Sequence, residues 1–236
     1  MKTALVTMLD ENFVIGFDVM MKSLKANNPW FDLPVVVIDL GLTEMTKARL
    51  RSEHRIEFRA PKRKNYAAVN FSKTAERLRS TYYKLDVFSY DDFDRIVFID
   101  SDVVITGDIA ELFACDKPFA AVRGYNARED QLRADINSGV FVVNKPALGG
   151  EYKALLRIAE RGFSMPDQKA INLCFAGRIH HLPKMYNVEK RMIATKRFQA
   201  ALAGARIVHF VASKPWDSEK EPGFEDLEKI WLKYHG

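Results

Sequence analysis

Short apolar runs rich in β-branched residues alternate with longer amphipathic segments over the first 60 residues of the chain. Residues 3–8, 33–40 and 55–59 have the composition of buried strands, whereas apolar side chains recur at helical spacing over 13–27 and 43–52. Strands that alternate with helices in this way predict an α/β fold, in which a largely parallel sheet carries helices on both faces.

The same alternation continues through the rest of the chain. Further strands are predicted at 95–99, 118–123, 139–144, 177–182 and 205–210. Helices are predicted at 72–90, 108–113, 146–162, 166–176 and 224–234. A polar stretch, 124–137, separates two of the strands, and we interpret it as a long loop with a functional role.

The chain has 236 residues, of which 47% are hydrophobic and 28% are charged, so it can bury a core without disulfides or structural metals. No linker or repeat divides it, and we interpret residues 1–236 as one domain. Cys115 and Cys174 do not make a disulfide framework. The N-terminal residues lack a signal-peptide pattern, and no apolar run reaches the roughly 18 residues of a membrane span. These features predict a cytoplasmic protein without a transmembrane segment.

The chain is basic, with a net charge of +5, which is compatible with a phosphorylated or anionic ligand. The densest basic clusters are residues 61–64 and 189–197. Each can equally be a solvated surface. Because no nucleic-acid motif accompanies these clusters, we do not expect a nucleic-acid partner.

Two carboxylates, Asp100 and Asp102, follow the predicted strand 95–99 and flank the small residue Ser101. In an open α/β sheet, ligands bind beyond the carboxyl ends of the strands, so this pair is expected at the ligand-binding rim. The two carboxylates repel each other unless a cation neutralises them, and both can reach one divalent ion. Such an ion with open coordination positions is suited to binding a diphosphate. The alternative is a solvated turn in which Asp108 caps the next helix.

Two further motifs place polar side chains at the same rim. Asn137 and Ser138 precede the apolar strand 139–144, and Gly139 allows close approach of the backbone to a ligand. Asp167 and Gln168 stand in the first turn of a predicted helix, where a carboxylate can also serve only to complement the helix dipole.

The segment "VHFVASKPW", residues 208–216, places His209 inside an apolar strand, ahead of a loop of small residues and Lys214. Such a histidine can be a satisfied core residue. The small loop and the lysine can also bind phosphate.

The order of these motifs, including "LPKMYN" at 182–187, resembles glycosyltransferase family 8, the glycogenin-like and bacterial lipopolysaccharide-type hexosyltransferases. The resemblance extends from about Thr3 to Trp216. It implies a single-domain GT-A fold with a Rossmann-like, mostly parallel central sheet. It also implies a metal-dependent, retaining glycosyltransferase that moves a hexose, with glucose or galactose favoured, from a UDP-sugar to an acceptor hydroxyl.

The resemblance also implies roles for individual residues. A manganese ion, for which magnesium can substitute, is implied at Asp100, Asp102 and His209. Asp167 and Gln168 are the implied catalytic residues nearest the anomeric carbon. The implied donor-binding residues are Thr7, Met8, Asp10, Lys84, Asp100, Ser101, Asp102, Asn137, Ser138, Gly139 and Lys214.

The chain departs from the family pattern at three places. The loop between His209 and Lys214 is one residue shorter, and Ala212 stands where a glycine is usual. The nucleotide loop lacks the polar pattern of glycogenin. No tyrosine lies between Tyr186 and Tyr234, whereas glycogenin glucosylates its own tyrosine there, so a separate glycan, lipid-linked or small-molecule acceptor is implied.

Other functions and the oligomeric state stay open at this stage. The altered phosphate loop permits a sugar-nucleotide-binding protein without turnover. The two carboxylates and the basic pI of about 9.1 permit a nucleic-acid-acting enzyme, which would bind oligonucleotides in a steeply salt-dependent way.

Overall fold

The computed structural model describes residues 1–193, 199–219 and 221–236. Its strands are β1 (Thr3–Leu9), β2 (Val35–Asp39), β3 (Ile56–Arg59), β4 (Arg95–Ile99), β5 (Val103–Ile105), β6 (Phe119–Asn126), β7 (Gln131–Asn144), β8 (His180–Leu182), β9 (Val188–Glu189) and β10 (Ile207–His209). Seven of them form a central sheet in the order β3–β2–β1–β4–β7–β6–β8.

The central sheet is mostly parallel, as the alternating sequence pattern predicts. β1 pairs in parallel with β2 and β4, β2 pairs in parallel with β3, and β6 pairs in parallel with β8. Only β7 runs against its neighbours, β4 and β6. The carboxyl ends of β1 and β4 therefore lie at one edge, where Asp10 and Asp100 follow them.

A second sheet of three strands, in the order β5–β10–β9, stands beside that edge. β10 is antiparallel to β5, and its register places His209 opposite Val103, the residue that follows Asp102. β10 is parallel to β9, with His209 opposite Glu189. This small sheet is what brings the last third of the chain to the acidic pair.

Helices cover both faces of the central sheet. They are α1 (Val14–Asn27), α2 (Glu44–Glu53), α3 (Ala110–Ala114), α4 (Glu151–Ala159), α5 (Pro166–Cys174), α6 (Lys190–Ile193) and α7 (Glu225–His235). Alternate residues of β4 point to opposite faces: Ile96 and Phe98 join one buried cluster with residues of α4 and α5, whereas Val97 and Ile99 join another with residues of α1. The mixed α/β architecture with two covered faces confirms the predicted fold class. None of the described helices has the length and apolar character needed to cross a membrane.

Two predicted elements differ from the structure. The segment predicted as helix 72–90 is helical over Glu76–Ser89, but as a 3-10 helix rather than an α-helix. The polar stretch 124–137, interpreted as a loop, forms most of a hairpin in which β6 and β7 pair at Tyr125 with Leu132 and at Asn126 with Gln131. Most side chains of β7 before Ile136 are exposed, so the hairpin lacks the apolar alternation by which a half-buried strand is recognised.

Candidate metal and nucleotide site

Asp100 and Asp102 stand where the chain leaves the central sheet and enters the small one. The backbone N–H of Asp100 donates to the carbonyl of Gly139 in β7, 2.9 Å away. The carbonyl of Asp102 accepts from the N–H of Phe210, which follows β10, also at 2.9 Å. Each carboxylate is thus anchored by its own backbone to a different sheet, and the distance between the two is fixed.

His209 completes a group of three candidate metal ligands with these carboxylates. Its Nε2 lies 3.1 Å from Oδ1 of Asp102 and 3.9 Å from Oδ2 of Asp100. One ligand atom from each of the three side chains lies within 4.8 Å of the others. In the described part of the chain, this is the only such group of three or more acidic, histidine or cysteine side chains. Two carboxylates and one imidazole in this spacing fit a divalent metal ion.

The hydrogen bonds behind His209 determine which ring nitrogen faces the carboxylates. The N–H of Gly139 donates to Oδ1 of Asn137 at 2.8 Å, and Nδ2 of Asn187 donates to the same oxygen at 2.9 Å. Oδ1 of Asn187 therefore points at Nδ1 of His209, 2.9 Å away, and accepts its proton. Nε2 is therefore the ring nitrogen that faces the two carboxylates, and it is the atom that would bind a metal ion.

Gly139 is required for this arrangement of the histidine. A Cβ added at position 139 would lie 2.7 Å from Nδ1 of His209 and 2.9 Å from Oδ1 of Asn137. No real Cβ comes that close to a neighbouring ring, so a side chain here would displace the imidazole. The sequence predicts close approach of Gly139 to a ligand; in the structure the groups close to it are the side chains of His209 and Asn137.

Two lysines neutralise the carboxylates. Nζ of Lys84 lies 2.8 Å from Oδ1 of Asp100 and 3.4 Å from Oδ2 of Asp167. Nζ of Lys214 forms an ion pair with Oδ2 of Asp102. Lys84, Asp102 and Asp167 are buried, at 5–7% exposed, whereas Asp100 and Lys214 are partly exposed.

Burial and charge shift the pKa values of this cluster in different directions. Burial alone would lower the pKa of Lys84, but the carboxylates around it outweigh burial and raise that pKa. Burial raises the pKa of Asp100 despite the attraction of Lys84. Burial also opposes ionisation of Asp102, but Lys214 and His209 overcome it, so that the pKa of Asp102 is lowered. Asp102 is therefore the more strongly ionised of the pair.

A cavity of about 360 Å³, which we call the carboxylate cavity, opens over this cluster. It is bordered by seven of the predicted donor-binding residues, namely Met8, Asp10, Lys84, Asp100, Ser101, Asp102 and Lys214. Asp10 also accepts a hydrogen bond from the N–H of Phe13 at 3.2 Å, and so caps the turn that begins α1. Thr7 does not border the cavity, because it is fully buried within β1.

The remaining predicted residues stand behind the cavity or beside it. Ser138 donates to Oδ2 of Asp167 at 2.6 Å, and Asp167 stands in the first turn of α5. Oδ1 of Asn137 is occupied by its two hydrogen bonds with Gly139 and Asn187. Gln168 borders a separate cavity of about 500 Å³, which we call the basic cavity.

The shortened loop before Lys214 keeps a glycine-like backbone. Ala212 has φ +66°, in the left-handed region that favours glycine. Beyond the lysine, the ring of Trp216 packs edge-to-face on Phe13, with the ring centroids 5.7 Å apart. The loop thus turns within fewer residues and still brings Lys214 to Asp102.

Sequence reasoning missed two residues of the site. Asn187 belongs to the "LPKMYN" segment, which the sequence singled out without a role for the asparagine. Arg77 borders the carboxylate cavity but lies in the 3-10 helix Glu76–Ser89, where no motif marked it.

Comparison with known proteins identifies the family. A family model described as "Glycosyl transferase family 8" matches residues 4–220. The chain is 28% identical over 219 residues to glycogenin of Neurospora crassa and 32% identical over 169 residues to human glycogenin-2. These matches cover 89% and 67% of the chain but only 30% and 32% of the two relatives, so the chain spans about a third of their length.

Solved structures show the fold. The galactosyltransferase LgtC, crystallised with donor and acceptor sugar analogues, superposes with a TM-score of 0.73 at 19% identity, covering 98% of this chain and 95% of LgtC. The glycosyltransferase GlyE of Streptococcus pneumoniae TIGR4 also has a TM-score of 0.73, at 20% identity, covering 99% of this chain and 61% of GlyE. With these neighbours the chain shares the GT-A fold, and by its family match over most of its length it belongs to glycosyltransferase family 8.

Proposed function

We propose that this glycosyltransferase is a metal-dependent, retaining enzyme that transfers a hexose from a UDP-sugar to a separate acceptor hydroxyl. The observation that carries the proposal is the group Asp100, Asp102 and His209 at the edge of a cavity that also contains Lys84 and Lys214. Manganese bound by that group, or magnesium in its place, would supply Lewis-acid stabilisation of the leaving diphosphate.

The side chains around the cavity suit a diphosphate ligand. Lys84 and Lys214 now satisfy Asp100 and Asp102, and both ammonium groups are also bordered by the open cavity. A diphosphate bound there would offer its oxygens to Lys84 and Lys214 in place of the carboxylates. The positive charge of the two lysines would then lie where negative charge develops in the transition state.

The contacts of Asp167 favour same-face attack over a covalent sugar–enzyme intermediate. Its Oδ2 accepts from Ser138 at 2.6 Å and faces Nζ of Lys84 at 3.4 Å, and both contacts stabilise the carboxylate and make it a weaker nucleophile. In same-face attack, the bond between the anomeric carbon and the phosphate oxygen breaks with its electron pair on the phosphate. The acceptor oxygen forms the new bond, and its proton passes to that phosphate.

A separate acceptor and a cytoplasmic location complete the proposal. The sequence 188–200, where glycogenin carries its acceptor tyrosine, contains none, and residues 194–198 of it lie outside the described ranges. Cys115 and Cys174 are both unpaired, which suits a reducing compartment.

The test is release of UDP from a panel of UDP-sugars with manganese, followed by the same assay in excess chelator. We expect turnover with at least one UDP-hexose, its loss with chelator and its recovery on adding back manganese. Full turnover in excess chelator would contradict the metal dependence. Tight binding of UDP without release from any donor would favour the alternative, a binding protein without turnover.

Self-transfer is tested on the purified protein alone. Intact mass spectrometry after incubation with UDP-glucose and manganese is expected to show no added sugar, because the acceptor is a separate molecule. A ladder of added hexose masses would contradict this part of the proposal.

A further inference from the structure

The basic cavity shares no lining residue with the carboxylate cavity. It lies between the 3-10 turn Phe71–Lys73, the outer part of β7 and the start of α5. Asp135 is the one carboxylate among its lining residues. Four cationic side chains also border it, namely Lys73, Arg133, Arg161 and Lys169.

The positive charges of this cavity are poorly compensated. Nζ of Lys169 lies 3.8 Å from Oδ2 of Asp135, and both side chains are about half exposed, so that this pair is weak. In the described ranges, no carboxylate forms an ion pair with Lys73, Arg133 or Arg161. Like charges around a shared space repel one another, and an anion bound between them would relieve that repulsion.

One of the predicted catalytic residues, Gln168, belongs to this cavity. This side chain is 7% exposed and borders the basic cavity, yet its amide makes no hydrogen bond within the part of the chain that the structure describes. The preceding residue, Asp167, lies 3.4 Å from Lys84, which borders the carboxylate cavity. Consecutive residues of α5 therefore relate the two cavities: Gln168 borders the basic cavity, and Asp167 contacts a lysine of the carboxylate cavity. The unpaired amide of Gln168 is available to a ligand.

The walls of the cavity suit a sugar. Phe163 and the 47% exposed Met165 add apolar surface beside the cations. Apolar side chains pack against the C–H groups of a sugar ring, whereas arginine binds carboxylate and phosphate through two parallel hydrogen bonds. A volume of about 500 Å³ is within the range of small-molecule sites.

We propose that the basic cavity is the acceptor site and that it selects a sugar that carries a carboxylate or a phosphate. This inference rests on the proposed function. The anionic group is not consumed: it orients the acceptor so that one hydroxyl faces the anomeric carbon of the donor. That hydroxyl oxygen bonds to the carbon, the bond to the phosphate breaks with its electrons on UDP, and the hydroxyl proton passes to the same phosphate.

The test uses three matched probes: methyl β-glucoside, methyl β-glucuronoside and methyl β-glucoside 6-phosphate. Their binding is measured by calorimetry on the full-length protein saturated with manganese and UDP, so that the carboxylate cavity is already filled. We expect one or both anionic probes to bind at least about tenfold more tightly than the neutral one, and the preference to shrink as salt is added. The carboxylate and phosphate arms identify the anionic group.

The variant Lys73→Gln/Arg133→Gln removes two charges from the cavity at exposed positions. It should raise the Kd of the preferred anionic probe by about tenfold or more and leave the neutral probe within about twofold. The matched control is Lys153→Gln/Arg157→Gln on α4, which removes two exposed charges from outside the cavity and should change neither Kd.

Three results would overturn the inference: no binding of either anionic probe, equal Kd values for neutral and anionic probes, or equal effects of the two double variants. These results are distinct from failure of the proposed function. In that case the protein would not bind UDP with manganese, or would release no UDP from any donor.

Discussion

The carboxylate cavity and the basic cavity differ in the balance of charge on their walls. The first has three carboxylates and three cations on its walls: Asp10, Asp100, Asp102, Arg77, Lys84 and Lys214. The second has four cations and one carboxylate. A divalent ion and a diphosphate entering the first would add charges of opposite sign, so its balance would survive loading. In the second, the repulsion among the four cations is relieved only when an anion enters.

The two cavities also differ in how firmly their side chains are held. Lys84 is buried and bound to Asp100 at 2.8 Å, whereas Lys73 and Arg133 are exposed. Removing one member of a buried ion pair is costly, because the other member is left as a buried charge without a partner. We therefore expect single substitutions to have large effects in the carboxylate cavity and graded effects in the basic cavity.

The largest effect is expected for Asp102→Asn. This change removes a ligand of the proposed metal ion and leaves Lys214 without its carboxylate partner. UDP release without acceptor should fall by about 100-fold or more, the scale of losing a main electrostatic contributor. The control is Asp116→Asn, an 80% exposed aspartate that pairs only loosely with Lys117 and should leave turnover unchanged. Near-normal turnover of Asp102→Asn would remove Asp102 from the metal site.

The next effect is expected for Lys214→Ala. If the short loop delivers this lysine to the diphosphate, the change should weaken UDP binding by roughly 1.5–3 kcal/mol, the scale of a hydrogen bond to a charged group. Lys214→Arg should restore only part of it, because a planar guanidinium differs in shape from an ammonium. Calorimetry with manganese and UDP measures both. Equal UDP affinity in wild type and Lys214→Ala would show that the loop has no part in nucleotide binding.

A smaller, more selective effect is expected behind the metal site. Asn187→Leu removes the acceptor of the Nδ1 proton of His209, so the ring can turn or change tautomer. Manganese affinity should fall by about 10–100-fold. Asn187→Asp keeps an acceptor oxygen for Nδ1 of His209 but loses the donor to Asn137, so it should retain more of the affinity than Asn187→Leu without restoring it fully. Electron paramagnetic resonance of free manganese measures both without turnover. Equal losses in Leu and Asp variants would mean that Asn187 acts only in packing.

The difference between the two cavities also marks what the sequence could reveal. Asp100, Asp102, His209 and Lys214 each belong to a short segment with its own pattern, and the rim position of the first two follows from an apolar strand that ends in carboxylates. The cations of the basic cavity come from separate segments without any shared pattern. The hairpin of β6 and β7, which the sequence suggested was a loop, places Arg133 on the wall of the cavity that Lys73 also borders.

The small sheet is the other feature that the sequence did not reveal. β5 has three residues and β9 has two, which is too short for a period-two pattern. Yet the register of β10 on these strands is what sets His209 beside Asp102. The three candidate metal ligands could be proposed by resemblance. The contact of Asn187 with His209 depends on how the chain folds in three dimensions, which no local sequence pattern indicates.

The smallest expected effect is on stability, at the loop that carries Lys214. Ala212 has φ +66°, which costs an alanine roughly 1–2 kcal/mol relative to a right-handed conformation, whereas glycine adopts it freely. Glycine loses more conformational entropy on folding, at a cost of about 0.4–1 kcal/mol, and this offsets part of the relief. Ala212→Gly should therefore raise the free energy of unfolding by about 0.5–1 kcal/mol. The reciprocal control is Gly177→Ala, at φ +72° with nothing within 4 Å of an added Cβ, which should lower it by a similar amount. Urea unfolding measures both changes. If Ala212→Gly destabilises the protein as much as Gly177→Ala does, the loop does not have its left-handed turn in solution, and Lys214 must reach Asp102 by another path.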